Sequence, residues 1–307
     1  MAVPLRPFGR HTDQSVSALG LGGYHLGSVS SVRESIRIVH AAIDAGITFL
    51  DNAWEYHEHE SEVRMGRAIE DRRERVFLMT KVCTHGRDAK VAMRQLDESL
   101  RRLKTDYLDL WQVHECAYYN DPDRHFARGG VIEALDRAKR DGKVRFVGFT
   151  GHKDPEIHLR MLSFGYPLDA CQLPLNVFDA SFRSFEQRVL PELLRQRIAP
   201  IGMKSLCGSG KAVKTQVVTA KDALRYAMSL PVVTTISGID SMRVLKQNLS
   251  VAANFKPLSA GQMERLRHRH APVAADGRFE LYKTTAQHDG NEGRVQHRFP
   301  TEAELAG

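Results

Sequence analysis

At 307 residues, with 42% hydrophobic and 26% charged residues, the chain is long enough for one large α/β domain or two ordinary ones and carries a real core. No apolar run approaches the roughly 20 residues of a membrane span, and the stretch from Met1 to Pro7 lacks the apolar centre of a secretory signal, so a cytoplasmic protein with no membrane partner is expected. The formal charge of +7 admits anionic ligands, but the basic residues interleave with acids, as in Glu70-Asp71-Arg72-Arg73-Glu74-Arg75, and no aromatics alternate with them, which argues against nucleic acid.

Residues 5–18 read as a polar hairpin turning at Gly9-Arg10. Ala18-Leu19-Gly20-Leu21-Gly22-Gly23-Tyr24 is a first, glycine-rich strand. Ser31, with Glu34 as its capping-box partner, opens a helix whose Val32, Ile36, Val39 and Ile43 recur at helical spacing, and Gly46 ends it. Ile47-Thr48-Phe49-Leu50 is the second strand, closing on Asp51, and a helix over residues 61–69 follows. Val76-Phe77-Leu78-Met79-Thr80-Lys81 is the third strand. Asp88 caps the next helix, with Val91, Met93, Leu96, Leu100 and Leu103 as its apolar face.

The fourth strand runs from Tyr107 to His114, its helix over residues 131–140, and the fifth strand over residues 144–150. Asp154-Pro155 opens a helix with Pro at its first position. The sixth strand spans residues 169–173, a helical region 185–196, the seventh strand 198–203 and a helix 220–229. The eighth strand is Val232-Val233-Thr234-Thr235-Ile236, followed by a helix over 241–253. A tail helix over 259–270 and a polar segment to Gly307 complete the chain.

Strand and helix thus alternate eight times over about 240 residues, a period that implies parallel strands joined by helical crossovers. Gly20-Leu21-Gly22-Gly23-Tyr24-His25 lacks the third glycine of a dinucleotide-binding turn, so a Rossmann sheet is the weaker choice. The expected fold is α/β, a closed (β/α)8 TIM barrel over residues 18–255, with a short N-terminal hairpin and a C-terminal helical and loop extension over 256–307, in a single domain covering 1–307.

The strand ends carry Asp51, Lys81, His114, Thr150, Gln172 and Lys204, and barrel strand ends converge on one face. Taken singly, a lysine there snorkels, a histidine is structural and an aspartate caps a helix. Asp51, Lys81 and His114 on three successive strands, with Tyr56 five residues past Asp51, form a set suited to proton transfer onto a carbonyl oxygen during hydride attack. A phenol titrates near pH 10; a neighbouring ammonium lowers that value, and a carboxylate holds the ammonium charged. The hydride requires a cofactor, because no side chain supplies one.

At these residues the chain resembles the aldo-keto reductases. The matching stretches are Phe49-Leu50-Asp51 with Tyr56, Ser61-Glu62 with Gly66-Arg67-Ala68, Thr80-Lys81, Asp106 to Leu110 ending at His114, Gly142-Lys143-Val144-Arg145 leading to Gly148, Gln172, and Gly238 followed by Asn248. The resemblance implies a catalytic tetrad of Asp51, Tyr56, Lys81 and His114, with Tyr56 as general acid/base, and NADPH or NADH lying across the barrel mouth. It places Gly23, Tyr24, Thr150, Gly151, Gln172, Met203, Lys204, Leu206, Gly208, Gly238, Asp240 and Asn248 at the cofactor. Gln172 would meet the nicotinamide carboxamide. Thr150 and Gly151 stand where many relatives have Ser-Asn, so an amide is lost and His152 is its substitute. Met203 takes the slot of a stacking aromatic. Lys204 to Gly210 resembles the pyrophosphate loop, with Lys204 and Lys211 as phosphate partners, and Asn248 would read the adenine.

Asp240 departs from the pattern, since many NADPH-using relatives carry a base two residues after the glycine matching Gly238. A carboxylate repels a 2′-phosphate but accepts from a free ribose hydroxyl. Either Asp240 thereby admits NADH, or it caps the helix beginning near Ser241 while Arg243 or Lys246 meets the phosphate. The family favours NADP and Asp240 leaves NAD open.

Tyr24, Trp54, Glu55 and Tyr118, with Tyr119, are expected to wall the pocket for a small-molecule carbonyl substrate. The segment Phe279-Glu280-Leu281-Tyr282-Lys283 is a candidate to fold over the mouth. No metal site is expected: His57-Glu58-His59-Glu60 reads as loop, and His268-Arg269-His270 as a solvated helix end. The cysteines, Cys83, Cys116, Cys171 and Cys207, form no CxxC and read as buried free thiols of a reducing compartment. The function expected is NAD(P)H-dependent reduction of an aldehyde or ketone. The alternatives are an NAD-linked sugar or polyol dehydrogenase, or a cofactor-sensing subunit of the same fold. Homo-oligomerisation is left open.

Overall fold

The computed structural model describes residues 3–83, 88–286 and 288–289. The polar segment leading to Gly307 lies outside the described residues from 290 onward. Two antiparallel strands come first, β1 (Leu5–Phe8) and β2 (His11–Ser17), turning at Gly9-Arg10 as the sequence predicts. The strands that follow are β3 (Leu19–Gly22), β4 (Phe49–Asp51), β5 (Phe77–Cys83), β6 (Leu108–His114), β7 (Val144–Thr150), β8 (Ala170–Pro174), β9 (Ala199–Met203) and β10 (Thr234–Gly238). They close into a parallel barrel in the order β10-β3-β4-β5-β6-β7-β8-β9.

Between and beyond them run α1 (Gly23–Gly27), α2 (Val32–Asp44), α3 (Glu60–Ile69), α4 (Ala89–Leu103), α5 (Asp121–Phe126), α6 (Val131–Arg140), α7 (Pro155–Ser163), α8 (Phe185–Arg188), α9 (Leu190–Arg195), α10 (Lys211–Lys214), α11 (Ala220–Ser229), α12 (Met242–Ala252), α13 (Ala260–Ala274) and α14 (Leu281–Thr284). The (β/α)8 barrel with its N-terminal hairpin is therefore the fold this chain forms. None of the helices among the described residues is long and apolar enough to cross a membrane.

Side-chain caps open half of these helices. Asp88 accepts from the backbone N–H groups of Lys90 and Val91, and Asp154 from that of Glu156 with Pro155 at the first helical position. Ser31 accepts from the Glu34 N–H, but the Glu34 carboxylate turns outward to Arg37, so only half of the expected capping box forms. A complete box forms instead at Ser259 and Gln262, which opens α13. The helical region over 185–196 divides into α8 and α9. Pro191 has no N–H to continue the α8 ladder.

Helix α13 runs past the expected end at residue 270. His270 is 4% exposed and packs on Phe178 at 5.3 Å, so it belongs to the core and is not a solvated helix end.

Inside the barrel, Phe49, Phe77, Leu110, Phe146 and Ile201 form one apolar cluster with Phe8 of the hairpin. The Phe8 ring lies 5.0 Å from Phe77 and 5.1 Å from Phe146, and its full burial contributes about 1.5–3 kcal/mol. Arg10 and His11 tie the hairpin to Asp169 at 2.6 and 2.8 Å. The hairpin thus stoppers the end of the barrel from which the strands start. The C-terminal ends of the strands form the opposite, open face, where the polar strand-end residues stand.

Candidate active site

Strands β4, β5 and β6 are neighbours; Asp51 and His114 end β4 and β6, and Lys81 lies two residues before the end of β5, so the three come together. Lys81 is 1% exposed; its Nζ donates to Asp51 Oδ1 at 2.5 Å and to the Asn52 carbonyl at 2.7 Å. The same Nζ reaches the Tyr56 hydroxyl at 3.4 Å and lies 4.9 Å from the centre of its ring. The His114 ring meets Tyr56 edge-on at 5.7 Å, and Tyr24 does the same from the other side at 5.3 Å. Asp51, Tyr56, Lys81 and His114 are therefore one contiguous cluster.

Its electrostatics depart from the sequence expectation of a phenol lowered by an ammonium. Burial pushes the Tyr56 hydroxyl well above the ordinary phenol range, and the Asp51, Glu55 and Glu115 carboxylates push it further. Burial also lowers Lys81, against the pull of Asp51. The arrangement keeps the proton on Tyr56.

Neighbouring motif residues hold this cluster from behind. Glu62 is buried, accepts from Thr80 at 2.7 Å and faces Arg102 at 3.2 Å, which ties β5 to α3 and α4. Ser61 donates to the Gly23 carbonyl at 2.7 Å. A side chain at Gly66 would put its Cβ 2.1 Å from the Arg102 carbonyl oxygen, so the glycine lets α3 and α4 touch.

The pocket residues divide. Tyr24 is 53% exposed at the rim beside Tyr56. Glu55 brings Oε1 within 2.5 Å of His114 Nδ1 and accepts from the Cys83 thiol at 3.0 Å through Oε2. Trp54 instead sends its indole N–H to Glu98 on α4 at 2.8 Å, because a half-buried indole needs a partner and the helical shell supplies it. Tyr118 is partly buried and its backbone N–H binds Asp121, in the turn that leads into α5. In the His57 to Glu60 loop, the His57 ring bonds the Tyr24 carbonyl and the His59 ring that of Trp54. Among the described residues no three His, Cys, Asp or Glu side chains converge as a metal site. All four cysteines are buried free thiols, as expected.

At the cofactor side, β7 and β8 pair Thr150 with Gln172. Gln172 is buried, and its Oε1 has no hydrogen-bond partner among the described residues. It is an acceptor suited to an amide N–H from a ligand.

Gly151 is not a position that has merely lost an amide. A Cβ there would stand 2.5 Å from the Cys116 carbonyl oxygen and 2.8 Å from the His158 ring. His152, its expected substitute, meets Glu115 through Nε2 at 2.6 Å, and burial pushes the imidazole well below its usual range. Gly151→Asn is accordingly expected to destabilise the fold by about 1–3 kcal/mol through overpacking and to leave NADPH affinity no tighter. Urea unfolding together with fluorescence titration checks both, and a tighter-binding, equally stable variant would contradict the packing account.

Met203 packs partly buried against the barrel interior. Lys204, Cys207, Gly208 and Gly210 all take positive φ, which gives the loop after β9 its sharp turns. Lys204 is turned inward: its Nζ lies 5.3 Å over the Tyr282 ring, and burial lowers its pKa while Glu115 raises it. Leu206 packs partly buried on the core, and Gly208 is exposed. Gly238 has its own packing reason, since the His25 ring occupies the space a Cβ would take, with Nδ1 at 2.2 Å from it. Asn248 is 4% exposed and donates to Ser237 at 2.9 Å. Ser241 caps α12, so Asp240 is not the cap; it is exposed and accepts from the Ser241 hydroxyl at 3.0 Å.

Sequence reasoning missed how the tail is anchored. Lys283 is fully buried between Asp179 at 2.7 Å and Glu280 at 2.9 Å, and the Tyr282 hydroxyl accepts from Asn176 at 3.0 Å. The Tyr282 ring reaches His152 at 5.7 Å, so the tail does cover this side of the mouth. The available signal was the placing of Glu280 and Lys283 in an otherwise apolar pentad, three residues apart.

A family model described as "Aldo/keto reductase family" matches residues 18–222. The chain is 30% identical over 212 residues to the aldo-keto reductase YhdN of Bacillus subtilis (strain 168), a match covering 64% of this chain and 60% of that relative. It is 28% identical over 249 residues to the 6-dehydroglucose reductase of Novosphingobium aromaticivorans, covering 74% of this chain and 80% of the relative. Among solved structures it resembles an aldo-keto reductase from Klebsiella pneumoniae in complex with NADPH, with a TM-score of 0.72 at 22% identity, over 88% of this chain and 96% of that one.

Proposed function

The chain belongs to the aldo/keto reductase family, and on that premise we propose that it is an NAD(P)H-dependent oxidoreductase that reduces an aldehyde or ketone to the alcohol, with Tyr56 as the acid. The observation that carries this reading is the contact of Lys81 Nζ with both Asp51 and the Tyr56 hydroxyl, at 2.5 and 3.4 Å. Asp51 and the Asn52 carbonyl fix the amine where it faces the phenolic oxygen. The protonated phenol suits donation to a carbonyl oxygen as negative charge develops there. When Tyr56 has given up its proton, the adjacent ammonium stabilises the phenolate. His114, against the Tyr56 ring, orients the oxygen-bearing end of the substrate.

A nicotinamide cofactor, when bound, would supply the hydride. The residues present fit such a cofactor. The unpartnered Gln172 Oε1 would accept from its carboxamide, and the turns at Cys207, Gly208 and Gly210 would allow close backbone approach to its phosphates. The Klebsiella relative's complex with NADPH supports the same choice. Following NADPH and NADH absorbance over a panel of aldehydes, ketones, sugars and alcohols tests the reading. Tight cofactor binding with no turnover of any of them would replace it with that of a cofactor-binding subunit.

A second reading, an NAD-linked sugar or polyol dehydrogenase, is favoured by Asp240. Ser241 caps α12, and the Asp240 carboxylate is exposed beside it, accepting only from the Ser241 hydroxyl among the described residues. Beside a ribose it accepts from a 2′-hydroxyl and repels a 2′-phosphate. Asp240→Asn is therefore expected to move the ratio of kcat/KM for NADPH over NADH upward by about tenfold, the effect of one charge-assisted contact. A hundredfold NADPH preference in the wild type that the substitution leaves unchanged would remove Asp240 from cofactor choice.

A further inference from the structure

Two anchors of different kinds hold the tail across one side of the mouth. The inner anchor grips the segment after β8. Lys283 Nζ meets Asp179 at 2.7 Å and the Phe182 carbonyl at 2.8 Å, and Asn176 donates to the Tyr282 hydroxyl at 3.0 Å. Lys283, Tyr282, Asn176 and Asp179 are all buried. The outer anchor is one side chain on the loop after β7. Lys153 Nζ donates to the Thr285 carbonyl at 2.6 Å and lies 2.6 Å from Asp289 Oδ1. The Lys153 side chain keeps 17% of its surface exposed, so water competes for its bonds as it cannot for those of Lys283.

Between the anchors the tail lies on the loop after β9. Lys204 Nζ is 5.3 Å from the centre of the Tyr282 ring, and a Cβ built on Gly208 would stand 3.7 Å from that ring and 4.0 Å from the His288 ring. The tail thus bridges the ends of β7, β8 and β9. Thr150 and Gln172, at the first two of those ends, are each 1% exposed.

We propose that this tail is a strap over the cofactor's seat, hinged at the buried Lys283 and latched by Lys153, and that unlatching sets the rates at which a nicotinamide dinucleotide enters and leaves. This rests on the reading of Gln172 and the loop after β9 as that seat. The asymmetry of the anchors gives the strap its direction. Freeing Lys283 strands buried carboxylates, whereas freeing Lys153 breaks two bonds beside solvent, so the outer end opens and the inner end stays. Openings of this kind limit ligand exchange in many enzymes.

Stopped-flow fluorescence of NADPH and NADH gives the association rates, and displacement by excess oxidised cofactor gives the dissociation rates. Lys153→Met is expected to raise both by about tenfold, the effect of one hydrogen bond to a charged group, and to leave the urea midpoint unchanged because the buried anchor is intact. Asp289→Asn separates a latch from plain attraction between Lys153 and the cofactor's phosphates. Removing that negative charge would by itself slow release, whereas an opened latch speeds it; faster entry and release are expected. Without cofactor, amide exchange in both variants is expected to quicken at Thr285 and Asp289, which donate to the Leu281 and Ala286 carbonyls, and to stay slow at Lys283. Unchanged rates in Lys153→Met, slower release in Asp289→Asn, or exchange at Thr285 and Asp289 that does not quicken overturns the strap while leaving the cofactor reading in place. A wild type that binds neither NADPH nor NADH overturns that reading and the strap together.

Discussion

Tyr56→Phe is expected to lower kcat for carbonyl reduction by roughly 10²–10⁴-fold, the range a positioned acid contributes, while NADPH affinity stays nearly unchanged. The substitution keeps what the ring does structurally. Its edge contacts with Tyr24 at 5.3 Å and His114 at 5.7 Å, and Lys81 at 4.9 Å from its centre, do not involve the hydroxyl. What is lost is the proton that burial and the surrounding carboxylates hold on the oxygen. Steady-state kinetics with a fluorescence titration of NADPH separates the two effects. A variant that keeps more than about a tenth of the wild-type rate would mean that another group donates the proton.

Lys283→Met is expected to have the largest effect on stability, a loss of about 3–5 kcal/mol, because it leaves buried carboxylates without their cation. Lys283, Asp179 and Glu280 are all fully buried, and the Lys283 Nζ also donates to the Phe182 carbonyl at 2.8 Å. Burial already raises Glu280 above its ordinary range against the pull of Lys283, so removal of the amine drives that carboxyl toward its neutral form. Asp179 also accepts from the backbone N–H groups of Phe185 and Glu186, so its charge has other support.

The loss is expected to begin in the tail, where Glu280, Tyr282 and Lys283 grip the segment after β8, and to loosen the Tyr282 ring from Lys204 and His152. Urea unfolding gives the magnitude, and amide exchange over residues 280–286 locates it. A change below about 1 kcal/mol would put this triad in the class of exposed ion pairs and leave the tail held by apolar contacts alone.

The barrel was legible in the sequence because its signals are short-ranged. Apolar runs at strand length, helical spacing in α2 and α4, and caps such as Asp88 and Asp154 each act within a few residues. Eight repeats of that local pattern leave few ways to close a parallel sheet, and closure then brings Asp51, Lys81 and His114 to one face. Asp51, Lys81 and His114 could thus be named from strand ends, and Tyr56 from the loop that follows Asp51. Its resemblance to a family added the role of each member.

Other features depend on residues that the local pattern cannot connect. Gly151 reads in sequence as a missing amide, whereas in the fold the Cys116 carbonyl and the His158 ring occupy the space a side chain would need. Gly238 accommodates the His25 ring, which arrives from the far end of the chain on α1. Whether Glu55 lined a pocket or gripped His114, and whether Tyr56 sat near one ammonium or among three carboxylates, followed from strand register and side-chain rotamers. The sequence by itself therefore determined the architecture and the set of polar groups that meet at the barrel mouth, since alternation and strand-end chemistry are local. Only the tertiary structure decided their partners and the direction in which burial shifts Tyr56 and Lys81, because burial and charge act across space between residues far apart in the chain.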